Sequence, residues 1–372
     1  MPALTPSFLF DFESNLRLIA VDEYARMLKA LYVDRICKTI PSMSKKEVIG
    51  FLLDTASIED QGLGGNVSYS DMSMVEYAIT NVDAGKGLRL RKQNFEDLDG
   101  HGVKLGEKWV RNISAYAAYW KQKKTMQMIK DAATSGKVLT YDGKNLFVSS
   151  ETIGTAVTNA HPFDPNNTVL GGFANLFTGS PSGSNGYPGA CPIDTTNAAT
   201  DDVAYANLVK VLSYISSAIK MPNGIDPRFL MPTQVTIVHP PALTGRVSTL
   251  MDAKFIAKAA SSGGGASDVE WFAKRYGFGS PIEAPEIAAA AGTGGSDTTY
   301  YVILEQIAGG DQLGAFVHLL REAFKIQFYS GSGSADGIDA ILMRAQELEW
   351  LTHGRYAIAP GHPYLVFKCT GT

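Results

Sequence analysis

MVEYAITNVDAGKGLRLRKQNFEDLDGHGVKLGEKWVRNISAYAAYWKQKKTMQMIKDAATS, Met74 to Ser135, holds the pattern on which the fold turns. It opens with Val75, Tyr77 and Ile79 at alternate positions. Further on, Leu88 and Leu90 alternate with Arg89 and Arg91, the period of two that marks a strand with one apolar and one charged face. Gly85 and Gly87 predict a tight reversal between the two runs. A helical stretch from Lys104 to Ala133 follows, roughly 45 Å long at ~1.5 Å per residue. Its stripe of Leu105, Trp109, Ile113, Tyr116 and Trp120 fades past Lys121, which predicts packing over the first half, with the two tryptophans as core anchors. An isolated two-stranded arm is marginal in water, so this arm needs a neighbouring subunit. The expected intersubunit contacts are Lys86, Leu88, Arg89, Leu90, Arg91, Lys92, Glu96, Asp97 and Asp99, whose mixed charge suits a salt-bridging surface.

Composition narrows the class. The chain has 372 residues, 45% of them hydrophobic, and suggests two or three structural units. A formal net charge of -4 argues against a protein whose business is gripping nucleic acid sequence-independently. Cys37, Cys191 and Cys369 are too scattered for a disulfide framework or a zinc pattern and fit a reducing cytosol. The opening residues carry no signal-peptide pattern, and no window reaches the apolar length of a membrane helix, so no membrane partner is expected.

Outside the opening stretch, Tyr24, Met27, Leu28, Leu31 and Ile36 follow helical spacing. Ser44 with Glu47 three residues on predicts a capping box opening a short helix through Val48, Phe51 and Leu52. Gly, Pro, Asn and Ser are dense between Asn159 and Thr200, which reads as a disordered tip or a contact surface. Asp201 or Asp202 caps a helix through Leu208, Val211, Leu212 and Ile215. A strand at Val235–Val238, a helix through Leu243, Val247, Leu250 and Met251, and a strand at Tyr300–Leu304 compose a small α/β unit. Ser261 to Ser267 reads as a flexible tip. Long strands close the chain: Phe324, Ile326 and Phe328; then Leu348 and Trp350; then Tyr364 to Lys368.

The chemistry-bearing motifs are missing. There is no phosphate-binding G-x-x-x-x-G-K-[ST] loop, no G-x-G-x-x-G, no G-x-S-x-G and no H-E-x-x-H. His161, His239 and His362 each precede proline and read as structural histidines. Glu96, Asp97, Asp99 and His101 offer oxygen and nitrogen donors but lack calcium-loop spacing, so a solvated turn is the better reading. Arg89, Arg91 and Lys92 are offset by the acids that follow. The expectation is a protein that is not an enzyme and holds no cofactor.

Several stretches together resemble a known family. They are NFEDLDGHG (Asn94 to Gly102), the long helix, LTYDGKNLF (Leu139 to Phe147), the His161-Pro162 step, Met221 to Gly224, VHPPAL (Val238 to Leu243), the charged strand around Arg344 to Trp350, and RYAIAPGHPYLVFK (Arg355 to Lys368). In this order they resemble the Mu-like major head subunits among tailed-phage major capsid proteins. The resemblance implies an α+β chain of the Hong Kong 97-type capsid fold. Its implied parts are an N-terminal arm and helices (1–56), an extended loop or β-hairpin arm (57–101), a spine helix and peripheral domain (102–190), an axial domain (191–320), and long strands with a closing axial strand (321–372). It further implies self-assembly through hexamers and pentamers into an icosahedral shell around double-stranded DNA. Portal and decoration proteins are implied partners, and packaged DNA is touched non-specifically. The first helix starts within about thirty residues of Met1, so scaffolding is expected from a separate protein. Lys86 sits where some relatives cross-link covalently, but it reads as a plain turn lysine, since no partner site is recognised. Two other readings remain open: a cellular nanocompartment of the same fold, and a hydrolase with dispersed catalytic residues.

Overall fold

The computed structural model describes residues 6–53, 73–91, 101–149, 160–163, 171–181, 187–220, 229–252, 255–257, 268–270, 277–307, 313–328 and 347–371. The chain opens with helix α1 (Pro6–Leu28), turns at residues 29–32, and continues through a single helical turn α2 (Val33–Ile36) into β1 (Cys37–Pro41). The turn lets Val33 and Ile36 drop into the core, where the spacing from Tyr24 to Ile36 predicted one continuous segment. β2 (Lys46–Leu53) and β3 (Ser73–Thr80) form a two-stranded antiparallel ribbon. β4 (Val82–Arg91) and the long helix α3 (His101–Asp131) follow.

The remaining elements divide between two sheets. One has the order β1-β13-β14-β4, with β13 (Phe316–Phe328) parallel to β1 and antiparallel to β14 (Glu347–Pro360), which pairs antiparallel with β4. The other has the order β11-β8-β12-β15-β7. Its centre is β8 (Pro232–His239), β12 (Tyr300–Ile307) and β15 (Val366–Cys369), all antiparallel to their neighbours there. Short parallel strands close its edges, β11 (Ile282–Glu283) and β7 (Leu176–Phe177). Small pairs of β5 (His161–Pro162) with β6 (Gly172–Phe173), and β9 (Phe255–Ala257) with β10 (Asp268–Glu270), complete the strands. The five-stranded sheet is packed by α4 (Asp201–Ser217) and α5 (Thr244–Asp252). The apolar positions expected for α4, Leu208, Val211, Leu212 and Ile215, are all fully buried.

Four local expectations are corrected. Ser44 does bond Glu47, donating its hydroxyl at 2.9 Å and its N–H at 3.3 Å to the Glu47 carboxylate. Yet they open strand β2 and not a helix, because eight consecutive residues from Lys46 to Leu53 pair with β3, and that long-range register overrides a local cap. Gly85 and Gly87 make no reversal. Both lie inside β4 opposite β14, and the break between the two alternating runs falls at Asn81. A Cβ at Gly85 would sit 2.6 Å from the Thr352 carbonyl oxygen, so glycine is there to let two backbones approach.

α3 packs in the opposite sense to expectation. Its second half is the better buried, with Thr125, Met126 and Ile129 at 0% exposure, whereas Leu105 and Tyr116 are 45% and 41% exposed. Trp109 and Trp120 are half-buried and not core anchors. Small residues decide the seat: Ser114, Ala117 and Ala118 are buried where the helix crosses its neighbours. Finally, the described part of the loop-rich stretch belongs to the core. Phe173, Asn175, Phe177, Cys191 and Ile193 are essentially inaccessible. The Asn175 side chain holds this irregular chain by donating to the carbonyls of Leu146, Pro363 and Val366 and accepting from the Val148 N–H. Ser261 to Ser267 lies outside the described residues.

Candidate intersubunit surface

Pairing register assigns the two faces of the β2–β3 ribbon. Directly opposed residues share a face, so Ile49 with Tyr77, Phe51 with Val75 and Glu47 with Ile79 point one way. That side packs on its own subunit. Phe51 is 1% exposed, stacked on Tyr141 at 4.4 Å between centroids and edge-on to His362 at 5.1 Å. Ile79 joins a small core with Val317, Leu319, Ala357 and Ala359. The Tyr77 hydroxyl donates to the Leu139 carbonyl at 3.0 Å.

The opposite face carries Val48, Gly50, Met74, Glu76 and Ala78. Val48 is 51% and Met74 56% exposed, and the Met74 thioether lies across Gly50, where a Cβ would meet its sulfur. Met43, next to the ribbon root, is 95% exposed. A ribbon glued to its subunit on one side and apolar on the other has the form of a docking element. The sequence reading placed Val48 in a helix opened by Ser44 and did not name Met74 as a contact. In β3 the alternation of Val75, Tyr77 and Ile79 already set Met74 on the other face, whereas β2 has no polar–apolar alternation to mark Val48.

The residues expected to reach a neighbour are distributed differently. Leu88 is half-buried opposite Trp350, and Arg89 pairs with Glu349 of the adjoining strand at 2.5 Å. Lys86 is exposed opposite Thr352, and Arg91 is exposed opposite Glu347. Leu90 lies in the strand opposite Leu348. Lys92, Glu96, Asp97 and Asp99 fall outside the described residues. β4 is therefore an edge strand of its own subunit's sheet, with Asp83 also held to Arg355 at 2.9 Å.

Two polar joints tie the layers that carry this surface. Tyr32, Tyr119 and Gln122 donate to the Glu286 carboxylate at 2.7, 2.9 and 2.8 Å, linking the α1–α2 turn and α3 to the short turn Pro285–Ile287 beside the five-stranded sheet. Burial raises the Glu286 pKa, but the donors outweigh it and hold the carboxyl below its usual range. Their own burial, with the Glu286 charge and hydrogen bond adding to it, pushes both tyrosines up. Arg35 donates to Glu305, Thr236 and the Ser280 carbonyl, fixing α2 to β8 and β12. The three proline-preceding histidines are built into structure. His161 meets Asp142 at 2.7 Å with both side chains almost wholly buried, His239 meets the Pro240 carbonyl at 3.0 Å, and His362 lies in the aromatic cluster under the ribbon.

Among the described residues there is no grouping of three or more His, Cys, Asp or Glu that could hold a metal, and no helix long and apolar enough to cross a membrane. Cys37, Cys191 and Cys369 are buried thiols; burial pushes Cys37 and Cys191 up to about 11.

Comparison with known proteins gives the following. Residues 22–170 match the family model described as Mu-like prophage major head subunit gpT. No curated protein matches the sequence. Among solved structures, the capsid of cyanophage P-SCSP1u is similar at 12% identity over 91% of this chain and 87% of that one, with a TM-score of 0.48. The capsid of cyanophage Pam1 aligns at 12% identity over 90% and 88%, TM-score 0.47. A virus-like particle from Pyrococcus furiosus aligns at 8% identity over 96% and 98%, TM-score 0.44. Residues 22–170, about two fifths of the chain, are thus similar to the Mu-like prophage major head subunit gpT family.

Proposed function

We propose that the chain assembles through hexamers and pentamers into a closed shell around double-stranded DNA, and that the β2–β3 ribbon is the arm that lies on the adjacent copy. The observation that carries this reading is the ribbon's division into a face packed on its own core, through Phe51 and Ile79, and an apolar face left open, through Val48 and Met74. The arm then spans residues 46–80, earlier in the chain than the 83–100 stretch that the charge alternation suggested. β4 is the rigid edge on which that arm is mounted. The domain division follows the two sheets: the β1-β13-β14-β4 sheet with α1 and α3 as the peripheral part, and the five-stranded sheet with α4 and α5 as the axial part. The axial part is not one continuous segment, since β7 and β15 enter it from residues 176–177 and 366–369. A separate scaffolding protein, a portal and decoration proteins complete the partners.

The test substitutes Val48→Asp together with Met74→Asp. Both side chains face away from the subunit, so circular dichroism and the melting temperature should stay at wild-type values. Size-exclusion with light scattering and electron microscopy should show closed particles for the parent and small oligomers for the variant. Normal particles from a folded double variant would remove the ribbon from the interface.

A further inference from the structure

The long helix α3 carries a second face whose cations pair with no described residue of either sheet or of the arm. From His101 to Asp131 it has seven lysines and arginines against two acids, a net +5 within a chain of formal charge -4. Four of those cations are committed elsewhere. Lys121 pairs with Asp34 and donates to Thr39, and Lys130, 8% exposed, donates to the Ala291 carbonyl. Lys123 and Lys124 lie over the rings of Tyr116 and Trp120.

Lys104, Lys108 and Arg111 remain. All three are exposed, and none forms an ion pair with any described residue. At 3.6 residues per turn, their spacing of four and three puts them on one stripe covering roughly 10 Å of helix. Glu107, half-buried, is the one acid within the same turns.

We propose that the Lys104, Lys108 and Arg111 stripe is where each subunit touches the phosphates of duplex DNA. This rests on the reading of the chain as a DNA-enclosing shell. The chemistry favours phosphate over a protein partner. Protein interfaces need apolar or aromatic anchors among their charges, and the apolar side chains of this helix, Leu105, Ile113 and Tyr116, lie roughly 130° around the axis. Duplex DNA presents one charge per ~1.7 Å of its axis, so a ~10 Å row of cations meets several phosphates without needing a base sequence. Arginine adds a fork that matches two phosphate oxygens. A short stripe of three cations on a chain of net negative charge gives contact that repeats over the shell while each contact stays weak.

The experiment measures binding of a fluorescein-labelled 30-base-pair duplex to the purified full-length subunit at concentrations below assembly, over a potassium chloride series, with light scattering on the same preparations at higher concentration. Three neutralised phosphates contribute a slope of about -2.7 in log K against log salt. The triple variant Lys104→Gln, Lys108→Gln, Arg111→Gln should lose that slope. Between 50 and 200 mM salt the parent should therefore weaken about 40-fold more than the variant. The variant should still form particles. Equal affinity and slope for parent and variant would overturn the proposal, as would a variant that binds DNA normally but no longer assembles, which would make the stripe a protein contact. A parent that forms shells yet binds no duplex refutes the DNA contact alone. A parent that stays monomeric at every concentration refutes the shell reading itself.

Discussion

His318 should make the subunit sensitive to mild acid. It sits on β13 beside β1, 8% exposed, with its Nδ1 3.3 Å from the Thr39 hydroxyl. Burial, with the Lys121 ammonium adding to it, pushes its pKa from 6.5 down to about 4, and Asp34 offsets this only in part. A folded-state value below the unfolded one means the unfolded chain takes up the proton first. The stability from neutral His318 is complete above pH 6.5 and drains away as pH falls toward 4. Integrating that difference from pH 7.5 to 4.5 gives a loss of about 2.5 kcal/mol, a large part of a typical folding free energy. The assay is urea unfolding at both pH values for the parent and for His318→Gln, which cannot titrate. Acidic groups with lowered pKa, such as Asp142 and Glu286, are present in both proteins and cancel in the comparison. The parent should lose about 2.5 kcal/mol more than the variant. Parallel losses would show that His318 is solvated enough to titrate normally, and the reasoning from its burial would fail.

Glu286→Gln keeps the shape of the joint but sets an amide group against the three donors from Tyr32, Tyr119 and Gln122. It should cost about 2 kcal/mol, and a double-mutant cycle with Tyr32→Phe should show coupling of about 1 kcal/mol; strict additivity would mean that the joint carries no shared energy. Gly85→Ala should lower stability by about 1–3 kcal/mol by lifting β4 off β14. Gly87→Ala, whose Cβ comes no nearer than 3.4 Å to the Trp350 carbonyl, should cost clearly less in the same thermal melts, and equal costs would refute the close-approach account of Gly85.

Where the hydrophobic period matched the element that formed, the sequence was readable. α4 and α5 bury the residues their spacing selected, and β8, β12, β13, β14 and β15 fall on the alternating or continuous apolar runs. The failures share one physical origin, a local signal outweighed by distant partners. Ser44 donates its N–H to Glu47 as a cap residue would, but β3 supplies eight pairing residues and decides the backbone. In α3 the large aromatics drew the eye to its first half, while seating depended on Ser114, Ala117 and Ala118, whose small size has no periodic signature. The loop-rich stretch was read from composition alone. Nothing in glycine and proline content reveals that Asn175 would supply the missing backbone partners and let the chain run through the core. Of the expected contact residues, the alternation at Leu88 to Arg91 located a true strand but could not say that the charged partner, Glu349, would come from the same chain.

The strand orders have a consequence for how the subunit is made. In the four-stranded sheet, residues 37–41 lie against 316–320, and β4 finds its only described neighbour at residues 347–356. In the five-stranded sheet, Val366–Cys369 is an interior strand, flanked on both sides. During synthesis, then, β1 leaves the ribosome some 280 residues before β13, the strand it pairs with. The four-stranded sheet cannot close before Pro360, nor the five-stranded sheet before Cys369. A nascent chain that has not yet made β14 leaves β4, the edge that mounts the arm, without its described strand partner, so it cannot offer a properly oriented docking face to its neighbours. On the proposed shell reading, folding order thereby acts as a checkpoint on assembly: only subunits that have closed both sheets present the geometry a growing shell can accept.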